Sequence, residues 1–226
     1  MGTLYIVATP IGNLDDITYR AVETLKNVDT IACEDTRHTL GLLNRYEIKK
    51  PLISYYAAKE EKGISQILTR LDKGETVAYV SDAGTPGLSD PGGALVRKVR
   101  EKEHTIIPIP GPSAFAALVS IAGISGKTIL FEGFLSPKKG KRKNRLKELL
   151  EREESFVIYE SPFRALKVLE ELKELAPERK IVVGRELTKK FEEILAGKAE
   201  TIIDILAIKG KIQGEFSILI CEKKYD

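Results

Sequence analysis

Short apolar runs alternate with amphipathic patterns along the first half of the chain. The β-branched runs predict strands, and between them apolar positions recur every three to four residues, as in helices that cover a sheet. The predicted elements are strands at 4–8, 30–33, 76–80 and 105–109, with helices at 18–26, 39–45 and 92–102. Such alternation favours an α/β fold with a mainly parallel sheet.

The second half of the chain has a different arrangement of strands. Strands are predicted at 129–132, 156–159, 181–183, 193–195 and 215–220, with helices at about 144–151 and 165–175. Because several of these strands are short and closely spaced, a mixed or partly antiparallel sheet is expected. We place a domain boundary at the small, polar stretch 123–126, which gives one α/β domain at 1–122 and a second at 123–226.

The composition is that of an ordinary globular protein, with 42% hydrophobic and 31% charged residues. No apolar run approaches the roughly 18 residues that cross a bilayer, and no signal-peptide pattern opens the chain, so we expect a cytoplasmic location without membrane contact. Cys33 and Cys221 lie in apolar strands without CxxC spacing, and His38 and His104 are the only histidines. Neither a disulfide framework nor a metal site is therefore expected.

Basic side chains are concentrated in one segment, although the net charge is only +3. Seven lysines and arginines fall between Lys138 and Lys147, with no acid among them. Such a run is either a solvated helix start or flexible loop, or a contact for a polyanion, and the sequence leaves both readings open.

Three glycine- and proline-rich segments, at 9–13, 81–87 and 108–114, follow strands of the first half. In a parallel sheet all three emerge at the carboxyl edge, where open α/β sheets bind ligands. Each alone could be a simple strand-to-helix turn, but the three together predict one binding crevice. They are not nucleotide motifs, because GxGxxG spacing is absent and Gly126-Lys127-Thr128 precedes a strand, whereas a phosphate loop follows one.

A polar cluster at 34–38 follows the second predicted strand at the same edge. Helix capping explains Asp35 and Thr36 without a further role, since their oxygens accept free amide protons at a helix N-terminus. A cation in the first turn opposes the helix dipole, so Arg37 is predicted to contact substrate.

Polar turns also follow two strands of the second half, at 159–164 and 184–190. Their cations are Arg164, Arg185, Lys189 and Lys190. These side chains either bind phosphates in a shared crevice or pair with Glu160 and Glu186, and both alternatives stay open.

Together and in order, these segments resemble the tetrapyrrole methylase superfamily, and most closely its branch of 16S rRNA ribose 2′-O-methylases. The matching segments are 7–14, 34–38, 81–86, 108–114, 131–135, 159–162 and 185–190. They span nearly the whole chain, and their combination is far more specific than any one of them. The resemblance implies a two-domain tetrapyrrole-methylase-like fold with S-adenosylmethionine in the cleft between the domains, usually within a homodimer.

The resemblance also implies roles for individual residues. The expected cofactor contacts are Pro10, Asp82, Ala83, Gly84, Thr85, Leu88, Ser113, Ala114, Tyr159 and Glu160. A ribose 2′-oxygen of 16S rRNA in the small ribosomal subunit would attack the methyl group in line, with no cofactor beyond S-adenosylmethionine. Asp35 and Glu186 are candidate proton acceptors. The cations expected to hold the RNA are Arg37, Arg185, Lys189 and Lys190.

Two positions depart from the pattern of that branch. Phe163 stands where histidine is usual, and the stretch 56–59 replaces one that usually contains histidine and asparagine, so a histidine base is not expected at either place. Two rival functions stay open. A methylase of a small tetrapyrrole would need an open apolar trough, and a non-catalytic RNA-binding module would keep the fold without binding the cofactor.

Overall fold

The computed structural model describes residues 1–56, 59–124, 126–210 and 212–223. The chain divides into two compact units, Met1–Ser113 and Ala114–Asp226. The sequence pattern places the boundary between residues 122 and 123, whereas the structure assigns the preceding helix, Ala114–Ile121, to the second unit. Ser125, in the polar stretch on which that prediction rests, lies outside the described residues.

The first unit is built on a parallel sheet. Its strands are β1 (Thr3–Val7), β2 (Thr30–Cys33), β3 (Leu52–Ser54), β4 (Thr76–Val80) and β5 (Thr105–Ile109). Its helices are α1 (Tyr19–Asn27), α2 (Thr36–Arg45), α3 (Glu60–Asp72) and α4 (Gly93–Glu101). The strand order is β3-β2-β4-β1-β5, and every neighbouring pair is parallel. The predicted parallel sheet is therefore confirmed.

Apolar side chains cover both faces of this sheet, because successive residues of a strand point to opposite sides. On one face Ala78 of β4 packs in a core with Leu25 of α1. On the other face Tyr79 packs with Ile67 of α3 and Leu95 of α4. A strand buried on both faces reads as a continuous apolar run, which explains why β4 stands out in the sequence.

The second unit is built on a mixed sheet. Its elements are α5 (Ala114–Ile121), β6 (Ile129–Phe134), α6 (Lys139–Glu151), β7 (Ser155–Glu160), α7 (Pro162–Leu175), β8 (Lys180–Arg185), β9 (Glu193–Lys198), α8 (Ala199–Ile208) and β10 (Phe216–Ile220). The strand order is β6-β7-β10-β8-β9, with β6 parallel to β7 and the other neighbours antiparallel. The predicted mixed sheet is therefore confirmed.

Both cysteines are buried free thiols, as their apolar surroundings predict. None of the helices in the described ranges combines the length and the apolar character that crossing a bilayer requires.

Candidate active site

The carboxyl edge of the parallel sheet brings the three glycine- and proline-rich turns together, because β1 lies between β4 and β5. The Thr9 N–H donates to the Gly84 carbonyl at 2.9 Å, and the Gly84 N–H donates back to the Thr9 carbonyl at 3.1 Å. The Thr9 hydroxyl also donates to the Ser81 carbonyl at 3.1 Å. The Thr85 hydroxyl donates to the Pro112 carbonyl at 3.1 Å. The predicted grouping of these turns is confirmed.

Glycine is required at two positions of these turns. Gly84 has φ +78°, a left-handed conformation that glycine adopts without strain, and a Cβ there would lie 3.3 Å from Cγ2 of Ile11. A Cβ at Gly111 would lie 3.0 Å from the Cβ of Ala8. The close packing of the turns therefore depends on the missing side chains.

An unpaired hydroxyl marks this edge as a place for a polar ligand. The Ser113 Oγ is buried and has no hydrogen-bond partner in the part of the chain that the structure describes. Leaving a buried polar group unpaired costs about 1–3 kcal/mol, so a ligand that bonds to it gains that energy back. Pro10 follows the bridged Thr9 directly, and the Leu88 N–H donates to the Thr85 carbonyl at 3.2 Å. The first-unit residues that the resemblance links to the cofactor thus share one edge of the sheet.

Three carboxyl groups, those of Glu34, Asp82 and Asp90, influence one another beside these turns. The backbone N–H of Asp35 donates to Oδ1 of Asp82 at 3.0 Å, which ties the turn after β2 to the turn after β4. Burial and the negative charges of Asp90 and Asp82 raise the pKa of Glu34 to about 7. Burial is also the main cause that raises the pKa of Asp90 to about 6.

Glu34 is a functional candidate that the sequence pattern did not single out within the cluster at 34–38. Its Oε1 atom is buried and has no hydrogen-bond partner among the described residues. A carboxyl group whose pKa lies near neutrality can take up and release a proton at working pH, as a general base must. Its position directly after the buried strand β2 was the available signal. The described ranges contain no group of three or more His, Cys, Asp or Glu residues that could hold a metal ion.

Asp35 and Arg37 lie at the start of α2. Oδ1 of Asp35 accepts the Arg37 N–H at 2.8 Å, so the predicted capping role of Asp35 is confirmed. The proton-accepting role of Asp35 stays a prediction. The Arg37 side chain is exposed, which leaves its guanidinium accessible to a substrate.

The second sheet also gathers polar groups at one edge. β7 and β8 both run antiparallel to β10, and Glu160 and Arg185 both pair with Phe216 from opposite sides. Glu160 is only 1% exposed, and its Oε1 accepts the Ser161 N–H at 2.8 Å and the Nε–H of Arg164 at 2.7 Å. Its Oε2 is buried without a partner in the described chain.

Ion pairs engage most of the cations in the turn after β8. The Arg185 Nε donates to Oε2 of Glu193 at 2.9 Å, and the Lys189 Nζ donates to Oε1 of Glu186 at 2.9 Å. The internal-pairing alternative therefore describes Lys189, as it describes Arg164 with Glu160. The pairing of Arg185 with Glu193 was not predicted. Contact of these residues with RNA stays a prediction.

The remaining residues of that turn differ in their surroundings. Although burial opposes the shift, hydrogen bonds from Lys189 and from the Glu215 backbone lower the pKa of Glu186, which makes it a weaker base. Lys190 is exposed, and its Nζ lies 5.6 Å from the ring centroid of Phe191. Of the charged residues predicted for this turn, Lys190 is the most accessible.

Two expected cofactor contacts and one of the two departures from the branch pattern lie in elements of the second unit. The Tyr159 hydroxyl accepts the Phe115 N–H at 2.8 Å, and Ala114 begins α5. Phe163, which replaces a usual histidine, is 83% exposed on α7. Ala57 and Ala58, within the other departing stretch, lie outside the described residues.

The basic run at 138–147 forms the start of α6. Three of its cations pair with acids: Arg142 with Glu171, Lys143 with Glu174, and Arg145 with Glu132. The exposed members are Lys138, Lys139, Lys141 and Lys147. The run is helical from Lys139 onward, but it is not solvated throughout, because Arg142 is buried. Polyanion contact stays a prediction for the exposed lysines.

Comparison with known proteins identifies the family to which the sequence is similar. The sequence matches the family model of Tetrapyrrole (Corrin/Porphyrin) Methylases over residues 3–203. It is 49% identical to the Ribosomal RNA small subunit methyltransferase I of Borrelia garinii, over 96% of this chain and 97% of that protein. It is 43% identical to the protein of the same name from Thermotoga maritima, over 99% of this chain and 100% of that protein.

Solved structures agree on the fold. A diphthine synthase matches with a TM-score of 0.78 at 14% identity, over 100% of this chain and 92% of that chain. A uroporphyrin-III C-methyltransferase from Thermus thermophilus, solved in complex with S-adenosyl homocysteine, matches with a TM-score of 0.66 at 16% identity, over 98% of each chain. At these identities the likeness concerns the fold alone. The family match and the near-full-length identities together show that this chain belongs to the tetrapyrrole methylase family and, within it, to the methyltransferases named ribosomal RNA small subunit methyltransferase I.

Proposed function

We propose that this chain transfers a methyl group from S-adenosylmethionine to the ribose 2′-hydroxyl of a cytidine in 16S rRNA. The observation that carries the proposal is the identity of 49% over 96% of the chain to a relative named for the small-subunit rRNA. Cytidine and the 2′-oxygen come from the branch that the sequence resembles. The first sheet supports a methyl-transfer site, because the three turns, the unpaired hydroxyl of Ser113 and the titratable carboxyl of Glu34 lie along the same carboxyl edge.

The turns after β1, β4 and β5 fit a cofactor with both polar and apolar parts. When bound, S-adenosylmethionine supplies a methyl group that an oxygen nucleophile can attack. The Ser113 hydroxyl offers such a ligand an unused hydrogen bond. The first-unit residues proposed to hold it are Pro10, Asp82, Ala83, Gly84, Thr85, Leu88 and Ser113. In the second unit, Ala114, Tyr159 and Glu160 are proposed ligand contacts, and the unpaired Oε2 of Glu160 supports the role of Glu160.

We assign removal of the hydroxyl proton to Glu34. A base whose pKa lies near the working pH is the most effective, and burial with neighbouring carboxylates holds the pKa of Glu34 at about 7. Asp35 is committed to capping α2, and hydrogen bonds keep the pKa of Glu186 low. Glu186 is therefore the weaker base of the two glutamates, Asp35 stays a candidate, and all three belong in the same test. Arg37, with its exposed side chain, is proposed to contact the RNA.

The proposal is tested by transfer of radiolabelled methyl from S-adenosylmethionine to small ribosomal subunits and to naked 16S rRNA. A ribose 2′-O-methyl group blocks alkaline cleavage of its own linkage, so the product should be one alkali-resistant site at a cytidine. Label on a base, or no label on RNA from a chain that binds the cofactor, would contradict the proposal. In the latter case tetrapyrrole and protein substrates are tested next.

We also propose a cytoplasmic homodimer, as the resemblance implies. Exposed apolar side chains of the second unit, such as Phe191 at 68% and Ile208 at 87% exposure, are consistent with a covered surface. Light scattering coupled to gel filtration measures the mass directly. A mass equal to that of one chain, 25.1 kDa, across micromolar concentrations would contradict the homodimer.

A further inference from the structure

A groove between β3 and α3 in the first unit is lined by charges of one sign. Its volume is about 670 Å³, and β3 is an edge strand of the sheet, so the groove opens at the side of the unit. The cations that line it are Lys59, Lys62, Arg70 and Lys73. No carboxylate contributes to this lining within the described ranges. A groove of this kind concentrates anions, since cations along low-dielectric walls focus the field.

Three of these four cations are available to an outside partner. Arg70 is already paired, because its Nη1 lies 2.8 Å from Oε2 of Glu75. Lys59, Lys62 and Lys73 are exposed, and none of them forms an ion pair with another described residue. The Nζ of Lys59 lies 5.7 Å from the ring centroid of Tyr56, so one end of the groove also offers an aromatic face.

The spacing of the groove residues fits an extended ligand. The residues at 62, 66 and 69 follow a four-three spacing, which places them on one stripe of α3, and Lys73 follows four residues later as the C-cap. From Lys59 to Lys73 the stripe is about 20 Å long at the rise of an α-helix. Gln66 and Thr69, between the lysines, can donate hydrogen bonds to phosphate and sugar oxygens. A single small anion would occupy only a fraction of this length.

We propose that this groove, which we name the β3–α3 groove, binds the sugar-phosphate backbone of the RNA substrate. The inference rests on the proposed function for the identity of the RNA. The groove shares no residue with the turns at 9–13, 81–87 or 108–114. Its lysines contact the RNA backbone and set affinity, whereas Glu34 and the turns act on the reacting ribose and the cofactor. Tyr56 supplies a ring on which a nucleobase can stack.

The test replaces Lys59, Lys62 and Lys73 together by glutamine and measures binding to naked 16S rRNA as a function of salt. Each phosphate contact contributes about 0.7 to 0.9 to the slope of log affinity against log salt. Losing three contacts should reduce that slope by about 2 to 3 and weaken binding roughly 100- to 500-fold at 0.1 M salt. Methyl transfer should show a raised KM with an unchanged kcat, because the groove does not touch the reacting atoms.

A matched control removes the same charge elsewhere, by K102Q, K127Q and K167Q, at three lysines that are likewise exposed and form no ion pair with another described residue. This variant should keep the salt slope of the wild-type chain. Equal slopes for wild type and groove variant, or equal losses in groove and control variants, would overturn the groove proposal while methyl transfer by the wild type still stands. Conversion of a homodimer to a monomer by the groove substitutions would also overturn it, because a second copy of the chain would then cover the groove.

Discussion

Replacing Glu171 should leave the buried guanidinium of Arg142 without a counter-ion in the second unit. The side chains of Arg142 and Glu171 are only 4% and 7% exposed. They form two hydrogen bonds, Nε to Oε2 at 2.9 Å and Nη2 to Oε1 at 2.8 Å, which join α6 to α7. The Arg142 Nη1 donates to the Pro137 carbonyl at 3.3 Å. Glu171→Gln keeps the size of the side chain and removes its charge, so the guanidinium loses its counter-ion without a cavity.

The expected magnitude follows from the burial of both partners. Breaking a buried ion pair by removing one member costs about 3–5 kcal/mol, because the other charge stays desolvated. We expect Glu171→Gln to lower the free energy of unfolding by about 3 kcal/mol. Replacing both partners by apolar residues, as in R142M/E171L, should change it far less, since no charge is then left buried. Lys141→Ala, beside Arg142 but exposed, should change it by less than about 0.5 kcal/mol.

Urea unfolding followed by far-ultraviolet circular dichroism measures these differences. Because the chain has two compact units, two transitions are possible, and each is fitted separately. A free energy of unfolding for Glu171→Gln within about 0.5 kcal/mol of the wild-type value would show that the unpaired charge costs little. If R142M/E171L is destabilised as much as Glu171→Gln, the loss comes from packing and not from the unpaired charge of Arg142.

Three further outcomes are expected. Because the pKa of Glu34 is about 7, the methyl-transfer rate should rise with pH up to neutrality as this carboxyl loses its proton. Glu34→Gln should abolish that rise and lower the rate about 100-fold or more. An unchanged pH profile in this variant would exclude Glu34 as the base. Gly84→Ala should lower the free energy of unfolding by about 1–2 kcal/mol, because φ at Gly84 is +78°. Gly140→Ala should be stabilising, because Gly140 lies on α6 and an added Cβ meets no atom within 4 Å. Thermal unfolding measures both variants, and equal effects would show that the left-handed conformation of Gly84 is not the cause. Ser113→Ala should leave the chain as stable or slightly more so while weakening cofactor binding up to about tenfold in calorimetry, and unchanged affinity would remove Ser113 from the site.

Much of the sheet framework could be predicted from the sequence, because buried strands read as continuous apolar runs. β4 and β5 begin and end at the predicted residues. No element was predicted between residues 46 and 75, where β3 and α3 lie. β3 has only three residues, too few to show a periodic pattern. α3 does carry apolar residues at helical spacing, at Ile64, Ile67, Leu68 and Leu71, so the sequence contained the signal for this helix and the prediction missed it.

The pairs Arg164–Glu160 and Lys189–Glu186 were among the alternatives read from the sequence, because their members are three or four residues apart. Pairs that join separate elements could not be predicted. Arg185 pairs with Glu193 only because β8 and β9 form a hairpin in which the two are opposite each other. The pKa of Glu34 depends on Asp90, which no local pattern relates to it. The sequence predicts that a polar residue follows a strand. Which residue it pairs with depends on which strands are neighbours in the sheet and on their register.

The central position of β10 has a consequence for synthesis of the protein. β10 is the link through which β7 and β8 are paired, so without it the second sheet falls into a β6-β7 pair and a β8-β9 hairpin. The first sheet, by contrast, has all its strands once Ile109 has been made. On the ribosome the first unit can therefore fold while the second still waits for residues 216–220. A stop codon before Phe216 would divide the second sheet into these two parts and leave all five strands of the first sheet present.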